Sequence, residues 1–216
     1  MNQPERRPVR GRPPSITHQK IVNAGIKIGL PNLTFVGVAA ALGVSHMALY
    51  KHVDNLEALK SMVAEEIFTR WDIPKPNADQ CEDFETYLVT FSASIRLFVK
   101  AHPGLTPFVI RRMAATEPML DKIKAHQVLI ADRFSLTEVQ ARWVLATVAF
   151  HCIAVSDTVY SVLGSNPEPK VVYTEDEAEM EAELIQGMHA LVTGVLVMLE
   201  DGRYLNIKPS HYDLNC

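Results

Sequence analysis

The stretch Thr34 to Leu59, TFVGVAAALGVSHMALYKHVDNLEAL, reads as two short helices joined by a sharp turn, followed by the start of a third. Thr34 is an N-cap type of residue, since its hydroxyl can accept from an unpaired amide of the first helical turn. Phe35, Val38, Ala39 and Leu42 follow at helical spacing. Gly43 falls where a helix stops in the left-handed conformation that glycine adopts at low cost. Val44 then fills the corner, and Ser45 is placed to cap the next helix.

On that next helix the residues divide by angle. Ala48, Leu49, His52 and Val53 share one side; His46, Met47, Tyr50 and Lys51 share the other. The second set mixes donors, a flexible apolar group, an aromatic hydroxyl and a cation, a mixture suited to base edges, thymine methyls and phosphates. A helix of about two turns is unstable alone and needs packing to exist. Clamped by Phe35–Leu42 behind it and a long helix after it, it fits a recognition helix in a helix-turn-helix.

The run LTFVGVAAALGVSHMALYKHVDNLEAL resembles the DNA-binding segment of TetR-type bacterial transcriptional regulators. The matching features are Leu33-Thr34, Val38-Ala39, Leu42-Gly43-Val44-Ser45, Ala48-Leu49-Tyr50, His52 and Ala58-Leu59. The resemblance covers residues 16–72. There are departures: Leu56 stands where the family usually has lysine, Val36 and Gly37 where it often has charged residues, and the link Gly29-Leu30-Pro31-Asn32 is shorter than usual. The resemblance implies an all-α protein, with an N-terminal helix-turn-helix domain of three helices and a C-terminal helical bundle for ligand binding and dimerisation. It also implies DNA contacts from Thr34, Ser45, His46, Met47, Tyr50, Lys51 and His52.

Charge is unevenly placed. Residues 1–60 hold eight Lys and Arg against three acids, a balance of +5, which leaves −9 for the rest of a chain whose total is −4. A basic head on an acidic body orients a protein toward a polyanion. The cysteines, Cys81, Cys152 and Cys216, lack CxxC spacing, so free thiols in a reducing cytoplasm are expected rather than a zinc site or a disulfide framework. No apolar leader is visible at the start. The most hydrophobic run, Trp143–Leu163, carries His151, Ser156 and Asp157, which favours a buried bundle helix over a membrane span.

Residues 1–15, MNQPERRPVRGRPPS, form an expected disordered basic arm. Within it Arg10-Gly11-Arg12-Pro13 has the form of an AT-hook core, in which Arg10 and Arg12 meet a narrow A·T minor groove. The alternative is a solubilising tail. A helix-turn-helix domain with its connecting helix is expected over 16–72, and a helical regulatory and dimerisation domain over 73–216. Thr17 is placed to cap a first helix with Ile21, Ala24, Gly25 and Ile28 on its buried stripe. Asp54 or Asn55 caps a fourth helix over 56–72, and Trp71 at its end is positioned to dock on the body. Helices are predicted over 80–101, 104–114, 118–133, 138–163 and 177–200, with Thr137-x-x-Gln140 and Thr174-x-x-Glu177 as capping boxes and a mobile loop over Gly164–Thr174.

Segment 138–163 would run about 39 Å and is apolar around most of its circumference, which requires burial on more than one side. The final helix carries Gly187, Ala190 and Gly194 in a row. Either these helices pack tightly within one subunit, or they form a four-helix homodimer interface, as the family does. Two recognition helices one DNA turn apart would read a near-palindromic operator.

No nucleophile, P-loop, dinucleotide-binding or metal motif is present in the sequence, so no enzyme, cofactor or metal is expected. The resemblance implies a small-molecule effector in the bundle. Candidate lining residues are the polar or aromatic groups His102, Phe108, Arg111, Met113, His126, Phe150, His151, Asp157 and Tyr160. For each, a satisfied core side chain or a surface group is the competing reading. A DNA-bound adaptor or activator controlled by a protein partner is the alternative to a ligand-released repressor. No membrane association is expected.

Overall fold

The structure, a computed structural model, describes residues 16–77, 82–110, 114–164 and 174–205. The described residues form nine α-helices and no strand: α1 (His18–Ile28), α2 (Phe35–Leu42), α3 (His46–Leu49), α4 (Leu56–Arg70), α5 (Phe84–Ala101), α6 (Thr106–Val109), α7 (Glu117–Arg133), α8 (Glu138–Gly164) and α9 (Thr174–Glu200). A 3-10 turn, Leu30–Asn32, links α1 to α2. The arm, the loop over 165–173 and the chain end lie outside the described residues.

The helix starts follow cap chemistry. Thr17 Oγ1 accepts from the Lys20 amide at 3.3 Å, Thr34 Oγ1 from Gly37 at 3.0 Å and Asn55 Oδ1 from Ala58 at 2.9 Å. Asn55, and not Asp54, therefore starts α4. Thr137 and Gln140 form a reciprocal box, each side chain accepting from the other's amide. Boundaries shift by two or more residues from the sequence expectations in four places, one being α9, which begins at Thr174 itself and not at 177. α5 begins at Phe84 because Asp83 caps it, accepting from Thr86 at 2.7 Å. α4 ends at Arg70, where Trp71 turns extended. The segment expected over 104–114 forms only the single turn α6, entered through Gly104 at φ 80° and Pro107 in its first turn.

The head is α1 to α4 around a core in which Ile21, Val38, Leu49, Leu59 and Val63 are fully buried. Gly25 on α1 lies against α4 so closely that a Cβ there would stand 2.4 Å from Val63 Cγ2. Gly25→Ala is therefore expected to lower unfolding free energy by about 1–3 kcal/mol, measured by urea titration. An unchanged midpoint would mean α1 shifts freely on α4.

The head core continues into the body through Phe98 of α5, Leu105 and Met119 of α7. Trp71 marks the joint: its ring stacks on Phe98 at 4.5 Å, and its Nε1–H donates to Ser94 Oγ at 3.2 Å. The last carbonyls of a helix have no partners within it, and its dipole favours a cation there. Lys122 of α7 supplies one, its ammonium donating to the carbonyls of Phe68 (3.3 Å), Thr69 (2.7 Å) and Trp71. Burial holds that ammonium below its ordinary pKa, with the Asp72 carboxylate opposing.

The body core is built from α5, α7, α8 and α9, with Tyr87, Leu88, Ile95, Ile130, Val144 and Val148 at its centre. Cys152 is buried in it, its thiol donating to the Ser92 carbonyl at 3.3 Å and pushed up to about 11 by burial. By length and composition α8 and α9 are each apolar enough to cross a membrane, yet only 28% and 22% of their apolar windows are buried within the chain. Their outward sides keep Val139, Phe150, Val155, Ile185 and Val197 exposed.

Candidate nucleic-acid interface

α2 ends in a Schellman turn. The Gly43 amide donates to Ala40 at 3.1 Å, the Val44 amide donates to Ala39 at 3.0 Å, and Gly43 sits at φ 67°, ψ 32°. A Cβ at Gly43 would meet nothing within 4 Å, so backbone conformation and not space requires glycine. The turn brings α3 against α2.

α3 itself is one turn, prolonged by the amides of His52 and Val53 donating to the Leu49 carbonyl at 2.8 and 3.0 Å. Leu49 and Val53 anchor it in the head core, and Ala48 is half-buried. Ser45, His46, Met47, Tyr50, Lys51 and His52 are all exposed. His52 thus departs from the angular reading that grouped it with the buried side, because the chain leaves α3 before its position comes round to the core. Ser45 occupies the N-cap position with extended backbone, but its hydroxyl makes no cap bond, which corrects the expectation that it caps the helix. The Thr34 hydroxyl accepts from the first turn of α2, and Gly37 leaves it room, since a Cβ there would lie 3.0 Å from Thr34 Oγ1. Tyr50 is held by a stack on Phe35 of α2, with centroids 4.5 Å apart and planes at 11°. Arg10 and Arg12 lie outside the described residues.

The residues named as effector-lining are spread over several places. His102 is half-buried edge-on to Phe98 at 5.2 Å, and burial lowers its pKa. Phe108 packs half-buried against the head core. Phe150 and His151 are on the exposed side of α8, His151 Nδ1 lying 2.8 Å from the Thr147 carbonyl of its own helix. Asp157 is half-buried on the same helix. Arg111 and Met113 lie outside the described residues. Two open grooves touch this set and do not join it into one chamber. One, of about 600 Å³, lies at the joint beside Trp71, Asp72, Ser94, Leu97, Phe98 and His102. The other, of about 440 Å³, lies between α8 and α9 beside His151, Val155, Met180, Leu184, Gly187 and Leu191.

Tyr160 belongs to a polar cluster that sequence reading missed. Its hydroxyl donates to Glu181 at 3.2 Å and receives from Arg96 at 3.2 Å, while Lys100 lies 5.0 Å over its ring and 2.6 Å from Glu181. The Lys100 hydrogen bond, with those of Tyr160 and the charge of Arg96, holds the Glu181 carboxyl below its usual range against burial. Arg96 within the apolar run FSASIRLFVK was the available signal.

His126 is half-buried beside the body core. Its Nε2 lies 2.8 Å from the Tyr87 hydroxyl, which also donates to the Pro74 carbonyl at 3.2 Å, and Phe91 stacks beside it. Burial pushes its pKa down to about 4, below the ordinary 6.5. Between those values the unfolded chain binds the proton and the folded one does not, so stability is complete above about pH 6.5 and falls as pH drops toward 4. A loss on the order of 2 kcal/mol is expected. His126→Gln should flatten that slope in urea titrations from pH 7 to 4; an equally steep slope would place the proton elsewhere.

Among the described residues no group of three or more His, Cys, Asp or Glu is arranged to hold a metal ion. No family model and no curated protein sequence matches the chain. Solved structures do. TetR from Acinetobacter baumannii AYE superposes with a TM-score of 0.64 at 19% identity, covering 86% of this chain and 99% of its own. The Streptomyces coelicolor TetR family protein ActR in complex with actinorhodin gives 0.61 at 18%, with coverage of 86% and 99%, and apo ActR gives 0.63 at 17%, with 89% and 99%. At such identities the likeness concerns architecture, and it agrees with the turn, the short outward helix and the helical body: this chain has the fold of the TetR-family regulators.

Proposed function

We propose that the chain is a sequence-specific DNA-binding transcriptional regulator, a cytoplasmic homodimer that represses at a near-palindromic operator and is released by a small molecule. The observation that carries this reading is the segment after Gly43. It is fixed by Leu49 and Val53, and it presents Ser45, His46, Met47, Tyr50, Lys51 and His52 outward together. In this reading His46 and Met47 face bases. Ser45, Thr34, Tyr50, Lys51 and His52 set the backbone register, and Arg10 and Arg12 enter the adjoining minor groove.

Pairing through α8 and α9 is supported by their exposed apolar sides and by Gly187 and Gly194, where an added Cβ would meet nothing within 4 Å. These glycines serve no close packing within the subunit. A small-molecule effector is supported by the groove at the head–body joint and by solved relatives of this fold, TetR with minocycline and ActR with actinorhodin. An adaptor or activator switched by a protein partner is the second reading, supported by the two grooves not joining His102 to His151 in one chamber.

Selection of duplexes from random DNA, followed by anisotropy titration, tests the proposal. A selected near-palindrome is expected to bind at least about 1,000-fold more tightly than unrelated DNA of equal length; equal affinity would refute it. Lys51→Ala should weaken all sequences alike and reduce the salt slope by about one unit per protomer, whereas a sequence-dependent loss would move Lys51 to a base edge.

A further inference from the structure

Between Thr34 and His52 the chain contains no Arg, Asn, Gln, Asp or Glu. Apart from lysine and the less selective serine and threonine hydroxyls, these are the side chains that read guanine, adenine and cytosine through hydrogen bonds to their major-groove edges. The surface offers something else. Val36, on the first turn of α2, is 67% exposed, and Met47, on α3, is 62% exposed. Neither belongs to the head core nor packs against it. The Phe35–Tyr50 stack draws the first turn of α2, which carries Val36, toward the end of α3, which carries Met47 one turn before Tyr50. The one apolar group a base pair shows in the major groove is the thymine C5-methyl. A flexible thioether and a branched isopropyl group suit it by size and polarity.

Resting on the DNA-binding reading above, we infer that the protein selects A·T-rich half-sites by packing Met47 and Val36 on thymine methyls, with His46 left to bond base edges. The arm sequence Arg10-Gly11-Arg12 leans the same way from the other groove, since A·T tracts narrow the minor groove and deepen its negative potential. Two separate parts of the chain thus favour the same base composition through different chemistry.

Replacing thymine by deoxyuridine in a selected duplex removes the methyl and leaves every hydrogen-bonding group in place. Each contacted position should then lose about fourfold in affinity for the full-length protein. Met47→Ala and Val36→Ala should each bind the thymine duplex more weakly and become indifferent to deoxyuridine at one position apiece, the signature of a coupled pair. Both side chains are exposed, so both variants are expected to fold, and circular dichroism melts check this. Selected half-sites without thymine, or deoxyuridine duplexes bound as tightly as thymine ones, would overturn the methyl reading while leaving sequence-specific binding intact. Absence of any selected sequence would overturn both.

Discussion

Gly187→Leu is expected to yield a folded monomer that has lost about three orders of magnitude in operator affinity. Within the subunit Gly187 is exposed and a Cβ there has nothing within 4 Å. Relative to glycine, leucine should favour the helix by up to about 1 kcal/mol. Between subunits the effect reverses. Gly187 and Gly194 stand seven residues, two turns, apart on the outward side of α9, where, in the proposed dimer, absent side chains would let a partner helix approach. An isobutyl group there forces the helices apart and strips dispersion contacts along the seam. A monomer reads one half-site, so the selectivity that comes from two is lost. Sedimentation at micromolar protein, a thermal melt and operator titration together read the result. A variant that remains dimeric with wild-type affinity would place the interface elsewhere. Gly187→Ala, smaller by three carbons, should stay close to wild type.

Removal of residues 1–12 is expected to cost operator affinity roughly 100-fold at 0.15 M salt, with no change in melting temperature. The reason lies in where the cations are. From residue 16 to residue 71 the head has Lys20, Lys27, Lys51, Lys60 and Arg70 against Asp54, Glu57, Glu65 and Glu66. Lys60 pairs with Glu57 at 3.7 Å and Arg70 with Glu66 at 2.7 Å. The arm has Arg6, Arg7, Arg10 and Arg12 against Glu5. Most of the head's excess positive charge therefore precedes its first helix. If two arginines per arm neutralise phosphates, the dimer's salt slope should fall by about 3 to 4 units on truncation. An unchanged slope would make the arm a solubilising tail.

The head was legible in the sequence because its signals are local. Thr17, Thr34 and Gly43 each announce a helix end through one hydrogen bond or one dihedral angle, and each is found at that end. Leu49 and Val53 against His46, Met47 and Tyr50 follow from angle alone. His52 escaped that reading because angular periodicity lapses where a one-turn helix ends. The expected cap at Ser45 failed for a related reason: residue type fits the position, but the side-chain rotamer answers to surroundings that the sequence does not display.

The body was legible as helices but not as a site. Tyr160 and His126 stood as candidate effector-lining residues, with a satisfied core side chain or a surface group as the competing reading; each has a hydrogen-bond partner more than 20 residues away, Tyr160 in Glu181 and Arg96 and His126 in Tyr87. Nothing local in the sequence marks Lys122. Only the fold brings the end of α4 beneath its ammonium. Long-range pairings of this kind carry no periodic signature.

The measurement that bears most directly on the segment after Gly43 is operator affinity as a function of half-site spacing. Selected half-sites are rejoined with centres moved apart one base pair at a time. Two copies of α3 seated in successive major grooves of one face predict a maximum near one helical turn, about 10–10.5 base pairs or ~34 Å, or a multiple of it. They also predict a loss of at least about 100-fold half a turn away, where only one copy can dock. Affinity independent of spacing would contradict that seating.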